Sequence, residues 1–147
     1  MISKSLIIFV SVGIVAGLLF GLFLVNLQNT SSIAYVEGTS LSIVTDKTNY
    51  KKGEDITITI INSGTVPISF QDTSYGLHVT GLSGMLIYSP ISSPVLSHLE
   101  PKEEIEFTWN QIKNDGNPAL EGLYKIRTKG YSSDKSIENS ITVNIWK

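Results

Sequence analysis

Residues 6–27, LIIFVSVGIVAGLLFGLFLVNL, contain no charged side chain, and only Ser11 and Asn26 among them are polar. As a helix rising 1.5 Å per residue the run is about 33 Å long, enough to cross a ~30 Å hydrocarbon core. A helix buried in a water-soluble core would carry a polar stripe, and this run has none. The segment therefore predicts a single transmembrane helix. Two membrane readings stay open. In one, the helix is a retained signal anchor. In the other, a signal peptide is cleaved after Ala34, where Ser32-Ile33-Ala34 presents small residues. The apolar core of a cleaved signal spans about 7–15 residues, so run length favours the anchor.

The flanks set an orientation. Lys4 and the terminal amine precede the run, and the next positive charge is Lys47. The positive-inside rule then puts residues 1–5 in the cytoplasm and everything after the span outside. Gly13, Gly17 and Gly21 repeat every fourth residue, which lines them on one helix face where another helix approaches closely. They are candidates for helix packing and a helix-mediated oligomer, although glycine is common enough in membrane helices for such spacing to arise by chance. Asn29-Thr30-Ser31 matches the glycosylation acceptor pattern. Residues 28–39 are small and polar and read as a linker.

Composition narrows the chemistry. Eleven Lys and Arg against 13 Asp and Glu leave a net charge of −2, which argues against nucleic acid as a main partner. Cysteine is absent, so disulfides, thiolate metal sites and a Cys nucleophile are excluded.

Residues 40–147 change character, and their hydrophobic period is two. Leu41, Ile43 and Thr45 alternate with Ser42 and Val44. Similar alternation runs through Ile56, Ile58 and Ile60, then Ile105, Phe107 and Trp109. It recurs at Tyr124, Ile126 and Thr128, and at Ile141, Val143 and Ile145. Each run turns one face to a core and the other to water. Weaker runs lie at 66–71, 76–80 and 85–89. Gly-, Asn- and Pro-containing breakers separate them at 51–54, 62–64, 81–84, 115–118 and 121–122. Seven to eight short strands spaced this way predict an all-β, antiparallel sandwich of the immunoglobulin type. The segment 90–102 holds Pro90, Pro94 and Pro101 and is expected to cross between sheets.

Three segments together carry a resemblance. Thr45-Asp46-Lys47-Thr48-Asn49-Tyr50-Lys51-Lys52-Gly53-Glu54 leads into Ile56-Thr57-Ile58. Leu99-Glu100-Pro101-Lys102-Glu103 leads into Phe107-Thr108-Trp109-Asn110-Gln111, and Pro118-Ala119-Leu120-Glu121-Gly122-Leu123-Tyr124-Lys125-Ile126 follows. In this order they resemble the intracellular proteinase inhibitor (BsuPI-type) domain over roughly residues 41–146. The resemblance implies an immunoglobulin-like fold and, as one reading, proteinase inhibition. Family inhibitors act inside the cell, whereas this domain is expected outside, so no inhibitory residue is carried over. The residues themselves read as fold determinants. Gly53 suits the positive φ of a turn, and Tyr124 suits a corner where its hydroxyl ties down a loop.

Catalysis has little to rest on. His78 and His98 have no nucleophile motif nearby, and no pair of residues has metal-ligand spacing. Glu100, Glu103, Glu104 and Glu106 form an acidic cluster that reads as a solvated strand face, with a weak cation or basic-partner site as the alternative. No cofactor is implied. Binding by loops or sheet edges remains, and the segments 90–100 and 111–121 are the longest between strands. Their apolar residues Ile91, Val95, Leu96 and Leu120 are candidate partner contacts, with burial against the domain's own core as the alternative. Three functions follow as expectations: a membrane-anchored, non-enzymatic interaction or envelope-assembly module; an extracytoplasmic proteinase inhibitor; or a component of an archaeal-type surface appendage complex.

Overall fold

The computed structural model describes residues 33–133 and 135–147, together with Gly17 and Gly21. Gly17 and Gly21 are helical and exposed. Gly13, the glycosylation triplet and the rest of the 6–27 run lie outside the described residues. Among the described residues no helix is long and apolar enough to cross a membrane.

Residues Ile33–Lys147 make one compact, all-β unit. Ten strands follow in chain order: β1 (Leu41–Thr45), β2 (Asn49–Lys51), β3 (Ile56–Asn62), β4 (Ile68–Phe70) and β5 (His78–Gly81). Then come β6 (Leu86–Tyr88), β7 (Ser97–Leu99), β8 (Glu104–Trp109), β9 (Gly122–Ser132) and β10 (Lys135–Trp146). One sheet has the order β1-β3-β8. The other runs β2-β10-β9-β4-β7, with β5 also on β9 and β6 on β5.

All five strong alternations form strands in the expected phase. On β8, Ile105 and Phe107 pack on the core and Trp109 is fully buried, while Glu104 and Glu106 are exposed. The Trp109 ring stacks on Tyr88 at 5.9 Å and meets Tyr124 edge-on at 5.5 Å. Its Nε1–H donates to the Ile112 carbonyl at 2.9 Å, which satisfies the one polar atom of a buried indole. Ile56, Ile58 and Ile60 from one sheet and Ile126, Val143 and Ile145 from the other belong to the same buried cluster. Asn139 of β10 donates its amide N–H to the Leu41 carbonyl of β1 at 2.7 Å, joining the two sheets at one edge.

Two strands beyond the expected eight appear, β2 and β7, each three residues long. The sandwich is also not wholly antiparallel, because β2 pairs with β10 in parallel. The chain leaves β1 at Thr45 and joins the edge of the other sheet at Asn49 without reversing, so its next pairing keeps the strand direction. His98, expected in a loop, lies in β7. The segment 90–102 divides: β7 still belongs to the larger sheet, and only the turn through Pro101 and Lys102 leads to β8 in the smaller one.

The stretch before β1 is tied to the compact unit. Val36 N–H donates to the Ser63 carbonyl at 3.0 Å, and Thr65 N–H donates to the Gly38 carbonyl at 2.8 Å. Part of the segment read as a linker is therefore docked on the turn after β3.

Candidate interaction surfaces

The four apolar loop residues singled out from sequence all face solvent. Ile91 is fully exposed, Leu96 is 77% exposed and Leu120 70%, and Val95 is also exposed. They do not form one site. Ile91 borders a shallow cleft of about 600 Å³ with Tyr88, Ile112 and Asn114. That cleft is where the two longest segments meet. Asn114 accepts the Ser89 N–H at 3.1 Å through its side chain and donates its own N–H to the Ile87 carbonyl at 3.0 Å. Burial pushes the Tyr88 phenol above its ordinary range. Val95 and Leu96 stand just before β7.

Leu120 sits elsewhere, with partners the sequence did not single out. The Tyr124 hydroxyl donates to the Leu120 carbonyl at 2.7 Å, so the expected corner is formed. Gly81 is paired with Tyr124, which brings the β5–β6 hairpin beside the start of β9. Leu82, Met85 and Leu86 of that hairpin are exposed, as are Leu120 and Leu123. Five exposed apolar side chains are thereby gathered at one end of the larger sheet. Period-two counting marks Leu123 as outward-facing. It gives no hint that Leu82 lies next to it, because that depends on the β5–β9 register.

The outer face of the same sheet has a different character. Lys125, Arg127 and Lys129 are exposed on β9, alternating with buried Tyr124, Ile126 and Thr128. Beside them the edge of β9 is shared by two strands: β5 covers Tyr124–Arg127, and β4 reaches only Tyr131. The chain between β4 and β5 bulges out at this gap. Gly76 closes the bulge against β9, where a Cβ would stand 2.2 Å from the Lys129 carbonyl oxygen at a backbone φ of +63°. No other residue fits that approach. A cleft of about 240 Å³ results, lined among others by Asp72, His78, Arg127, Lys129, Tyr131 and Glu138. His78 Nδ1 lies 3.0 Å from the Gly76 carbonyl and, facing an acceptor, carries the proton that it donates. Hydrogen bonds from the Ser74 hydroxyl and N–H hold the Asp72 carboxyl below its usual range.

The acidic cluster stays open to solvent, as a solvated strand face would. Glu100, Glu103, Glu104 and Glu106 are all exposed, and Glu103 accepts the Glu100 N–H at 2.7 Å. Among the described residues no three His, Asp or Glu side chains are placed to hold a metal ion.

No family model matches the chain. No curated protein matches it. Among solved structures, it is similar to a β-glucosidase from Listeria innocua in complex with glucose, with a TM-score of 0.34 and 13% identity. The same enzyme in complex with gluconolactone gives a TM-score of 0.33 and 13% identity. Each match covers 73% of this chain but only 16% of the β-glucosidase chain, so this chain spans about a sixth of that length.

Proposed function

We propose that this chain is a membrane-anchored, extracytoplasmic immunoglobulin-like module that binds another protein and has no catalytic activity of its own. The uncharged 22-residue run, with Lys4 on one side only, supports the anchor and its orientation. Two features support the immunoglobulin-like reading. One is a β1-β3-β8 sheet opposite a sheet centred on the β9–β10 hairpin, and the other is the Tyr124 corner at the start of β9.

The observation that carries the binding function is the apolar end formed by Leu82, Met85, Leu86, Leu120 and Leu123. These side chains are exposed together although a well-packed core lies a few residues away. Exposed apolar groups collected at one end of a sheet favour an interaction surface there. Affinity capture from solubilised membranes tests it, comparing the parent chain with Leu123→Glu. A partner captured by the parent and lost with the variant is the expected result. The same captured set with both chains contradicts the reading.

The proteinase-inhibitor reading rests on a separate observation. Ile91-Ser92-Ser93-Pro94 is an exposed stretch that follows the partly buried Ser89-Pro90 and is stiffened by Pro90 and Pro94, with Ile91 fully solvent-facing. An exposed apolar side chain on a proline-restricted loop is what a protease specificity pocket accepts at low entropic cost. A panel of extracellular proteases decides it. Inhibition that is lost with Ile91→Asp supports this second reading, and no inhibition of any protease removes it.

A further inference from the structure

We infer that the outer face of the larger sheet binds an acidic polysaccharide, with one anionic sugar unit seated in the cleft between Gly76 and β9. Lys125, Arg127 and Lys129 project from one face of a single strand, about 7 Å apart from one to the next. A linear polymer lying along β9 therefore meets a cation at each step. Among the described residues neither Arg127 nor Lys129 is held in an ion pair, although Glu138 stands opposite Lys129 in the β9–β10 register. Their donors are available to a ligand.

The chemistry of the cleft selects the class of polyanion. Binding of densely charged chains, such as nucleic acid or polyphosphate, rests on Lys and Arg neutralising phosphates, and carboxylates at the centre of the surface oppose it. Here Asp72 and Glu138 line the same small cleft as Arg127 and Lys129. A ligand that satisfies both kinds of group offers hydroxyl donors to the carboxylates and an anionic group to the guanidinium, as an acidic sugar does. Tyr131 adds an apolar ring face at the cleft wall, half-buried and 5.8 Å from the Lys129 ammonium. Across the sheet, Ser136, Ser140 and Thr142 pair in register with Tyr131, Arg127 and Lys125. The cationic row is thus bordered by hydroxyl groups at Lys125 and Arg127 and by Glu138 at Lys129. At about 240 Å³ the cleft suits a single sugar ring rather than a larger ligand. It also lies apart from the apolar end, so this inference stands independently of the protein-binding reading.

The test uses the full chain in detergent micelles and four probes: an oligogalacturonate, a neutral malto-oligosaccharide of equal length, a hexaglutamate peptide and a short DNA duplex. The oligogalacturonate is expected to bind at least ten-fold more tightly than the other three. The double variant Arg127→Gln/Lys129→Gln should lose at least ten-fold of that affinity, with an unchanged unfolding temperature. Glu104→Gln/Glu106→Gln, on the opposite sheet, should leave it within two-fold. Glu138→Gln separates sugar recognition from charge attraction. It should weaken oligogalacturonate several-fold, whereas a gain in affinity would assign the face to charge alone and overturn the inference. Equal binding of the neutral sugar, of hexaglutamate or of DNA overturns it too, as does no binding of oligogalacturonate or an unaffected double variant.

Discussion

The side-chain carbonyl of Gln111 accepts the backbone N–H of Gly53 at 2.8 Å, across 58 positions of chain. Its amide nitrogen donates to the carbonyls of Lys51 and Glu54, at 2.8 and 2.7 Å. One buried side chain thus closes the turn between β2 and β3, where Gly53 has the expected positive φ of +84°, and pins it to the segment after β8. Gln111→Ala removes the side-chain partner of the Gly53 N–H and the Glu54 carbonyl, while the Lys51 carbonyl keeps the Glu54 N–H at 3.0 Å and the turn itself stays partly open to solvent. A part-buried hydrogen bond contributes roughly 0.5–1.5 kcal/mol net, so the total loss should be about 1–3 kcal/mol. Urea unfolding of segment 33–147 measures it, and a loss under ~0.5 kcal/mol would show that the clamp is dispensable.

Trp109 and Glu106 give a paired test of the β8 register. Trp109 is wholly buried between Tyr88 and Tyr124, whereas Glu106 faces water. Truncating a buried Trp costs about 3–5 kcal/mol, a large share of the ~5–15 kcal/mol that holds a small domain folded. Trp109→Ala should leave the domain barely folded. Glu106→Ala should change stability by less than about 0.5 kcal/mol. Equal midpoints for the two variants in chemical denaturation would contradict the register.

Tyr50 predicts an alkaline limit. Its ring is fully buried, and its hydroxyl donates to the Asp46 carboxylate at 2.7 Å. Burial, followed by that hydrogen bond, pushes its pKa up to about 12. The unfolded phenol titrates near 10, so the unfolded state loses its proton first. Stability from this group is complete below about pH 10 and falls as pH rises towards 12, by roughly 2 kcal/mol. Tyr50→Phe has no proton to lose and should show a shallower decline over that interval. Parallel stability curves for parent and variant between pH 9 and 12 would rule out the effect.

Strands with five or more alternating residues could be read from sequence because each buries one whole face, and burial leaves a period. Three-residue strands bury at most two side chains, so β2, with only Tyr50 inside, leaves no period to detect. The same limit hid β7 in a proline-rich stretch. The corner at Tyr124 was readable because it is a local contact, four residues long. Gln111 was not, since its partners lie near residue 53 and only the β3–β8 pairing brings them together. The surfaces follow the same rule. The sequence allows either exposure or core burial for Ile91, Val95, Leu96 and Leu120, and their division between separate places depends on strand pairing. The grouping of Leu120 with Leu82 and Leu123 needs the β5–β9 register. The cleft beside Arg127 needs the break between β4 and β5, which composition does not mark.

The claim that the apolar end of the sheet is where a partner protein docks is tested most directly by crosslinking at single positions in intact cells. A photoreactive residue is placed at Leu82, Leu123 or Glu106, the last on the opposite sheet. The account predicts an adduct with a second protein from Leu82 and Leu123 and none from Glu106. Adducts from all three positions alike, or from Glu106 alone, would contradict it.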